Sequence, residues 1–384
     1  SSTKDPSMDF TVRTGRPDEF GDIVDVTARS FAQTRAFFLQ CFRNAYPDAR
    51  AARACVVAEA GGRIVGVINQ TPMRVRLGRA RFPAAGIGGV CCLPEARGQG
   101  VMSAMLSFSR ARQRAKGVPM GMLGGKRSRY RRVGFDQAGR TLVSELPDEL
   151  LATARPAAYR KLRPADAEAV ARKSRNTGMS IHRSAGWQRW LLQRPQHVGY
   201  RNRGRTLRAY FVASAREPTR ITEAVGEVDV LAGMLRRYQQ EQGAERLSVE
   251  LIPQTDVARW ALLSEQAGRF DVKPAWKACI YDFGALLRAL GPELAGRLRA
   301  CGFDGPVRLR DETEDACYEL TAERGGVGVT AYAGRAKPHL SLPGDGWVRT
   351  LFPPGGAPAI APDADPRLRA ALAFELCVPA WDHV

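Results

Sequence analysis

Long apolar runs are missing from this 384-residue chain. None approaches the ~20 residues that a bilayer-spanning helix needs. The N-terminus has no continuous apolar core of the kind a secretory signal carries. Cysteines at metal or redox spacing are missing as well. The eight present, Cys41, Cys55, Cys91, Cys92, Cys279, Cys301, Cys317 and Cys377, include no C-x-x-C and sit mostly in apolar contexts. That pattern points to reduced, buried thiols in a cytoplasmic protein. Histidine is scarce: His182, His197, His339 and His383 share no ligand spacing with one another or with the cysteines, so no metal site is expected. Lysine is scarce too, supplying 8 of the 58 basic residues against 50 arginines. A net charge of +19 would suit nucleic acid. The arginines are spread over the whole chain, however, and read as compositional bias rather than a binding stripe. Small anionic ligands are favoured over nucleic acid.

What is present is a globular balance, 44% hydrophobic and 25% charged, in a chain long enough for two or three domains. The polar stretch Ser1–Ser7 is set aside, with Met8 taken as the start. Phe10–Arg13 alternates as a strand. Pro17, Asp18 and Glu19 suit the first turn of a helix whose apolar spacing runs Phe20, Ile23, Val24, Thr27, Phe31. Cys55–Glu59 and Arg63–Asn69 read as a hairpin around Gly61-Gly62, and Met73–Leu77 as a further antiparallel strand. Ile87–Leu93 is an apolar strand, Pro94–Gly100 a glycine-bearing loop and Val101–Lys116 a helix, followed by a short strand at Val118–Leu123.

A second region repeats the order, with strands at Leu207–Ala213, Ile221–Val228, Leu247–Ile252 and Ala278–Phe283. Helices at Leu231–Gln242 and Val257–Gln266 separate them. Internal duplication is the expectation, although letter-by-letter similarity is slight. A third region opens on a helix (Ala285–Cys301), continues in short strands and closes near Arg367–Phe374 with an extended tail.

The strongest signal is the run from Val90 to Met102, where a strand delivers Arg97-Gly98-Gln99-Gly100-Val101-Met102 straight into a helix. Such a turn aims successive N–H groups outward, and the helix dipole adds partial positive charge. Gly98 and Gly100 let a phosphate approach the backbone without a Cβ in the way, and Arg97 can add charge-assisted bonds. A pyrophosphate fits this geometry. There is neither a G-x-x-x-x-G-K-[ST] P-loop nor a complete G-x-G-x-x-G. The bland alternative is a tight turn with no ligand.

About 30 residues on stands Tyr130-Arg-Arg-Val-Gly134-Phe135. With the Arg97–Met102 turn, this resembles the Gcn5-related N-acetyltransferase (GNAT) superfamily, which carries [RQ]-x-x-G-x-[GA] and then Y-x-x-x-G-F. The two motifs cover roughly residues 88–136. Met102, where a small residue is usual, looks more like the enhanced-intracellular-survival (Eis-like) branch. The resemblance implies an α+β chain of tandem GNAT-fold domains, the first active and the second degenerate, plus a sterol-carrier-like C-terminal domain. The corresponding boundaries are 8–150, 151–283 and 284–384. It implies acetyl-CoA or another acyl-CoA as cosubstrate, held by Arg97, Gly98, Gln99, Gly100, Val101 and Met102. A backbone N–H of Val90 or Cys92 would polarise the thioester carbonyl, and Tyr130 would act as general acid on the CoA sulfur. Relatives of this branch form hexamers and return their C-terminal carboxylate to the active site. The Val384 carboxylate, with His383 beside it, is accordingly the candidate base. A small-molecule amine is the expected acceptor and a homo-oligomer the expected assembly.

Other readings stand beside these. Tyr130 also reads as a packed core tyrosine, and the tail as packed on its own domain. Cys91 and Cys92 have no His partner in sequence and read as core thiols rather than nucleophiles. The run Lys126–Arg132 suits either a solvated face or an anionic ligand. At the matching junction of the second region, Val228–Gly233 has no glycine pair and contains Asp229, so one CoA site per chain is expected. A non-catalytic CoA- or nucleic-acid-binding protein is the alternative of a different class, and a different acyl donor the alternative within enzymes.

Overall fold

The structure is a computed structural model and describes residues 8–41, 48–175, 177–178, 180–253, 255–263, 269–323, 326–355 and 364–378. The chain first forms β1 (Thr11–Thr14), α1 (Phe20–Ser30), α2 (Arg35–Cys41), β2 (Cys55–Ala60), β3 (Arg63–Leu77) and β4 (Ala80–Cys92). Then come α3 (Val101–Ala115), β5 (Met120–Leu123), the one-turn α4 (Arg127–Tyr130) and β6 (Asp136–Pro147). Met73–Leu77 is not a strand of its own. β3 runs through Pro72, which stays in register opposite Ala85 beyond the last β2 pair at Asn69. A residue without an N–H is tolerated where one neighbour strand has ended.

The second stretch comprises α5 (Asp148–Ala152), β7 (Tyr159–Lys161), α6 (Ala167–Ser174), α7 (Ala185–Leu191), β8 (His197–Asn202), β9 (Ala209–Ser214) and β10 (Arg220–Gly226). It continues with α8 (Val228–Gln242), β11 (Arg246–Leu251), α9 (Asp256–Leu263) and β12 (Phe270–Ile280). Gly226, at φ +135°, ends β10, and α8 starts at Val228, three residues before the expected Leu231. Asp229 therefore lies in the first helical turn rather than in the connecting turn. The third stretch holds α10 (Phe283–Ala300), β13 (Val307–Asp311), β14 (Ala316–Glu323), β15 (Gly326–Ala331), β16 (Leu340–Leu342), α11 (Gly344–Leu351) and α12 (Pro366–Leu372).

Twelve strands form one sheet in the order β1-β2-β3-β4-β5-β12-β6-β11-β10-β9-β8-β7, and four form another, β15-β14-β13-β16. In the large sheet β4 pairs parallel with β5, and β10 parallel with β11. Each parallel pair is bridged by a helix, α3 or α8, as parallel strands require. β12 lies between β5 and β6: Lys277–Ile280 pair with Leu123–Met120, and Phe270–Ala278 with Ser144–Asp136. A strand from far down the chain thus completes the sheet begun by the first 123 residues.

Alternating side chains divide between the faces. On one side α3 packs Val101, Met105 and Leu106 against Val56, Ala58, Ile68, Ile87 and Leu123. On the other, α1 packs Ile23 and Val24 against Val57, Val67 and Cys91, while α10 covers Phe82, Ala84, Met120, Met122 and Trp276. Full burial of such side chains stabilises by roughly 1.5–3 kcal/mol each.

One polar cluster occurs twice. Arg13 donates to the Glu19 carboxylate at 2.8 and 2.5 Å, and the Arg16 N–H donates to it at 2.8 Å. Arg160 donates to Asp166 at 2.8 Å twice, and the Arg163 N–H at 2.8 Å. Both acids are held below the usual carboxylate range, first by the arginine hydrogen bond. The underlying pattern, R-x-x-R-P-x-acid at residues 13–19 and 160–166, was not picked out in the sequence.

Candidate active site

β4 pairs with β5 only at Ala85–Gly121, Gly86–Met122 and Ile87–Leu123. β5 then ends at Leu123, and Gly88–Cys92 run on with no partner on that side among the described residues. Within this free end lies a bulge. On β3, Val67 faces Cys91 and Asn69 faces Gly88, so Gly89 and Val90 share one partner position. Gly89 takes φ +58°, a conformation that glycine adopts at little cost. Val90 and Cys92 were marked from the sequence; Gly89 was not, since one glycine in a glycine-rich strand carries no local signature.

Beyond β4, a short 3-10 turn (Pro94–Ala96) leads to Arg97 and the glycines. Gly98 and Gly100 have φ +78° and +81°, and a Cβ built on either meets nothing within 4 Å. Space is therefore open in front of this turn. The first bond at the start of α3 runs from the Ala104 N–H to the Gly100 carbonyl, 3.0 Å. The N–H groups of Val101, Met102 and Ser103 precede it and are left for an incoming acceptor.

A cavity of about 770 Å³ opens here. It brings together Val90, Cys92, Arg97, Gly98, Gly100, Val101 and Met102. Ser30 and Phe31, at the end of α1, and Arg129 also line it, and none of the three was assigned a role from sequence. Gln99 does not line it; its side chain accepts from the Met8 N–H at 3.4 Å. The Arg97 Nε donates to the Cys92 carbonyl at 3.5 Å, which bends the side chain back along the turn.

Tyr130 is buried on α4, its ring edge-on to Phe135 at 6.4 Å. It is not itself among the cavity-lining residues; its neighbour Arg129 is. Burial pushes the phenol pKa up, while Arg129 draws it back. The phenol is therefore protonated at neutral pH. The Cys91 thiol is pushed up to about 11 by burial, and Cys92 is raised for the same reason. Neither is a thiolate at neutral pH.

The basic run around Tyr130 divides. Arg127 forms a bidentate pair with the buried Asp136, with Nη2 to Oδ2 at 2.9 Å, and Arg131 lies 3.9 Å from Asp345. Arg129 is the member that faces the cavity. Val384 and His383 lie outside the described residues. The chain before them is anchored. The Leu376 carbonyl accepts from the Arg140 N–H at 3.1 Å, and the Cys377 carbonyl accepts from the Ser180 N–H at 2.8 Å. Among the described residues no group of three His, Cys, Asp or Glu could hold a metal ion, and no helix is long and apolar enough to cross a membrane.

Residues 11–138 match the family model described as Acetyltransferase (GNAT) domain. No curated protein matches the sequence. Among solved structures, the chain is similar to a GCN5-related N-acetyltransferase from Kribbella flavida. That match has TM-score 0.73 and 20% identity, over 98% of this chain and 99% of that one. A GCN5-related N-acetyltransferase from Anabaena variabilis gives TM-score 0.67 at 17% identity over 89% and 90%. Eis1 from Mycobacterium abscessus gives 0.66 at 15% over 97% and 98%. At such identities the likeness is one of fold.

Proposed function

We propose, proceeding from the GNAT acetyltransferase domain that this chain carries across residues 11–138, that it is an acyl-CoA-dependent N-acyltransferase acting on a small-molecule primary amine. Acetyl-CoA is the donor this reading favours. The observation that carries it is a single cavity in which the bulged end of β4, unpaired beyond β5, meets the open Gly98–Gly100 turn. The turn and the first N–H groups of α3 suit a pyrophosphate, with Arg97 and Arg129 supplying charge. Met102 and Val101 give the turn an apolar shoulder, and Gln99 anchors it from behind.

The chemistry follows from what the residues can do. An N–H of Val90 or Cys92, beyond the end of the β5 pairing, stabilises the oxyanion as the amine attacks the acyl carbon. As the C–S bond breaks, Tyr130 gives its proton to the departing thiolate, directly or through water. A phenol kept protonated by burial is suited to that task. The Val384 carboxylate holds the incoming ammonium and relays its proton. With a reference pKa of ~3.5 it orients better than it abstracts.

We further read the chain as Eis-like, with a first GNAT domain, a degenerate second one and a sterol-carrier-like third region. The repeated Arg–Arg–acid cluster, the two parallel strand pairs bridged by α3 and α8, and the separate four-stranded sheet support that division. A homo-oligomer in the cytoplasm belongs to the same reading.

The test is incubation of the full chain with acetyl-CoA and a panel of polyamines, aminoglycosides and lysine peptides, following released thiol. Turnover with at least one amine is expected, and Tyr130→Phe should lower kcat by 10²-fold or more, the usual size for a general acid, with little change in acetyl-CoA KM. Acetyl-CoA binding without turnover on any amine would favour a ligand-binding role instead.

A further inference from the structure

A second cavity occupies the corresponding place in the other half of the large sheet. It measures about 780 Å³, against about 770 Å³ for the first. Its walls are the end of α6, the junction of β10 with α8, and the approach to α9. These are the counterparts of the end of α1, the β4–α3 junction and the segment after β5. β10 also behaves like β4. It pairs parallel with β11 only at Arg220 and Ile221, shifts register between Ile221 and Glu223, and leaves its end unpaired with β11.

The phosphate turn has no counterpart. β10 passes into α8 through Gly226 and Glu227 alone, and Glu227 is held by Arg208 at 2.9 Å. A carboxylate at the helix start cancels the anion-attracting end of the dipole, so a pyrophosphate is not accommodated there.

The positive charge lies on a different wall. Lys173 on α6 and Arg205 in the β8–β9 connection line the cavity. Among the described residues, neither has a carboxylate within ion-pair distance. Arg172 lines it too but is tied to Glu168 at 2.6 Å. The two lining acids have arginines outside the cavity, Glu227 with Arg208 and Asp256 with Arg259 at 3.4 Å; Lys173 adds a weaker, longer-range attraction to Glu227, behind that of Arg208. Leu207, Val225 and Val228 make the remaining wall apolar.

Two cations without a short ion pair, beside an apolar wall, call for a dianionic head on an apolar body. We propose that this second cavity binds a phosphate monoester with an apolar body, its phosphate held between Lys173 and Arg205. The site shares no residue with the acyl-transfer cavity, and the proposal stands whether or not the chain acylates amines.

Phenyl phosphate is the probe, titrated into the full chain by calorimetry. Lys173→Glu/Arg205→Glu and the milder Lys173→Met/Arg205→Met are compared with Arg97→Glu/Arg129→Glu, with thermal midpoints checking that each variant folds. Phenyl phosphate should bind the parent chain and the Arg97/Arg129 variant alike. It should bind about tenfold or more weakly to both Lys173/Arg205 variants, as for loss of a charge-assisted contact. Inorganic phosphate should bind more weakly than phenyl phosphate. The proposal is overturned by absence of saturable binding up to ~10 mM, by loss of binding in the Arg97/Arg129 variant with retention in the Lys173/Arg205 variants, or by equal affinity for inorganic phosphate.

Discussion

Replacing Gly100 by alanine separates backbone strain from ligand exclusion. Gly100 caps α3 in the left-handed region at φ +81°, and an added Cβ meets no protein atom within 4 Å. The cost to the folded chain is therefore conformational, roughly 1–2 kcal/mol for an L-residue held there. Gly117, just past the end of the same helix, has φ +73° and equally open surroundings. Gly117→Ala should thus cost the same stability, and both variants should lose a few degrees of thermal midpoint. They part company in binding. At Gly100 the open space is where a pyrophosphate oxygen must approach the N–H groups of α3. Losing one charge-assisted hydrogen bond there is worth roughly 1.5–3 kcal/mol, or about 10- to 100-fold in affinity. Acetyl-CoA titration by calorimetry, beside thermal melts of both variants, reads the two effects independently. Equal acetyl-CoA affinity in Gly100→Ala and Gly117→Ala would refute the placement of the pyrophosphate on this turn.

Arg129→Ala should weaken acetyl-CoA binding by about tenfold with little loss of stability. Arg127→Ala should instead spare binding and cost roughly 3 kcal/mol of unfolding free energy, because it strands the buried Asp136; denaturant melts and titrations distinguish the two. His197 is driven down to about 4 by burial and by Arg194 and Arg220, below the usual value near 6.5. The unfolded chain then binds more protons between those values, so stability should fall as pH drops from 6.5 towards 4, by at most roughly 3 kcal/mol. His197→Gln should flatten that limb, and an unchanged pH profile would dismiss the assignment. Extending the chain by several residues beyond Val384 should abolish turnover while acetyl-CoA still binds; normal activity would remove the terminal carboxylate from the mechanism.

How much was legible depended on sequence distance. The Arg97–Met102 turn could be read because strand, glycines and helix are contiguous and the constraint on each glycine is local. Ser30, Phe31 and Arg129 line the same cavity but arrive from other elements, and nothing in their own neighbourhoods announces it. The Gly89 bulge depends on which β3 residues lie opposite, information held in the pairing rather than the letters. β6 was not foreseen as a strand at all. Its opening residues include Gly139 at φ +67°, which interrupts the alternation that marks a strand. The start of α8 was placed late because Val228 and Val230 suit a strand as well as a helix, and tertiary packing decided between them. Arg13 with Glu19 and Arg160 with Asp166 form a repeat of spaced letters, visible once both sets of hydrogen bonds are compared.

The position of β12 sets a clock on synthesis. β5 leaves the ribosome early, yet the strand that covers its open edge ends at Ile280, roughly 160 residues later. At 5–20 residues per second that interval is roughly 8 to 30 seconds. Through it, Met120–Leu123 present an uncovered apolar edge beside the very strand that builds the cofactor cleft. Such an edge is a template for pairing with the wrong chain. The nascent protein is then most exposed to misassembly, and most in need of a chaperone, after its first motif has been made and before its second half can reach back.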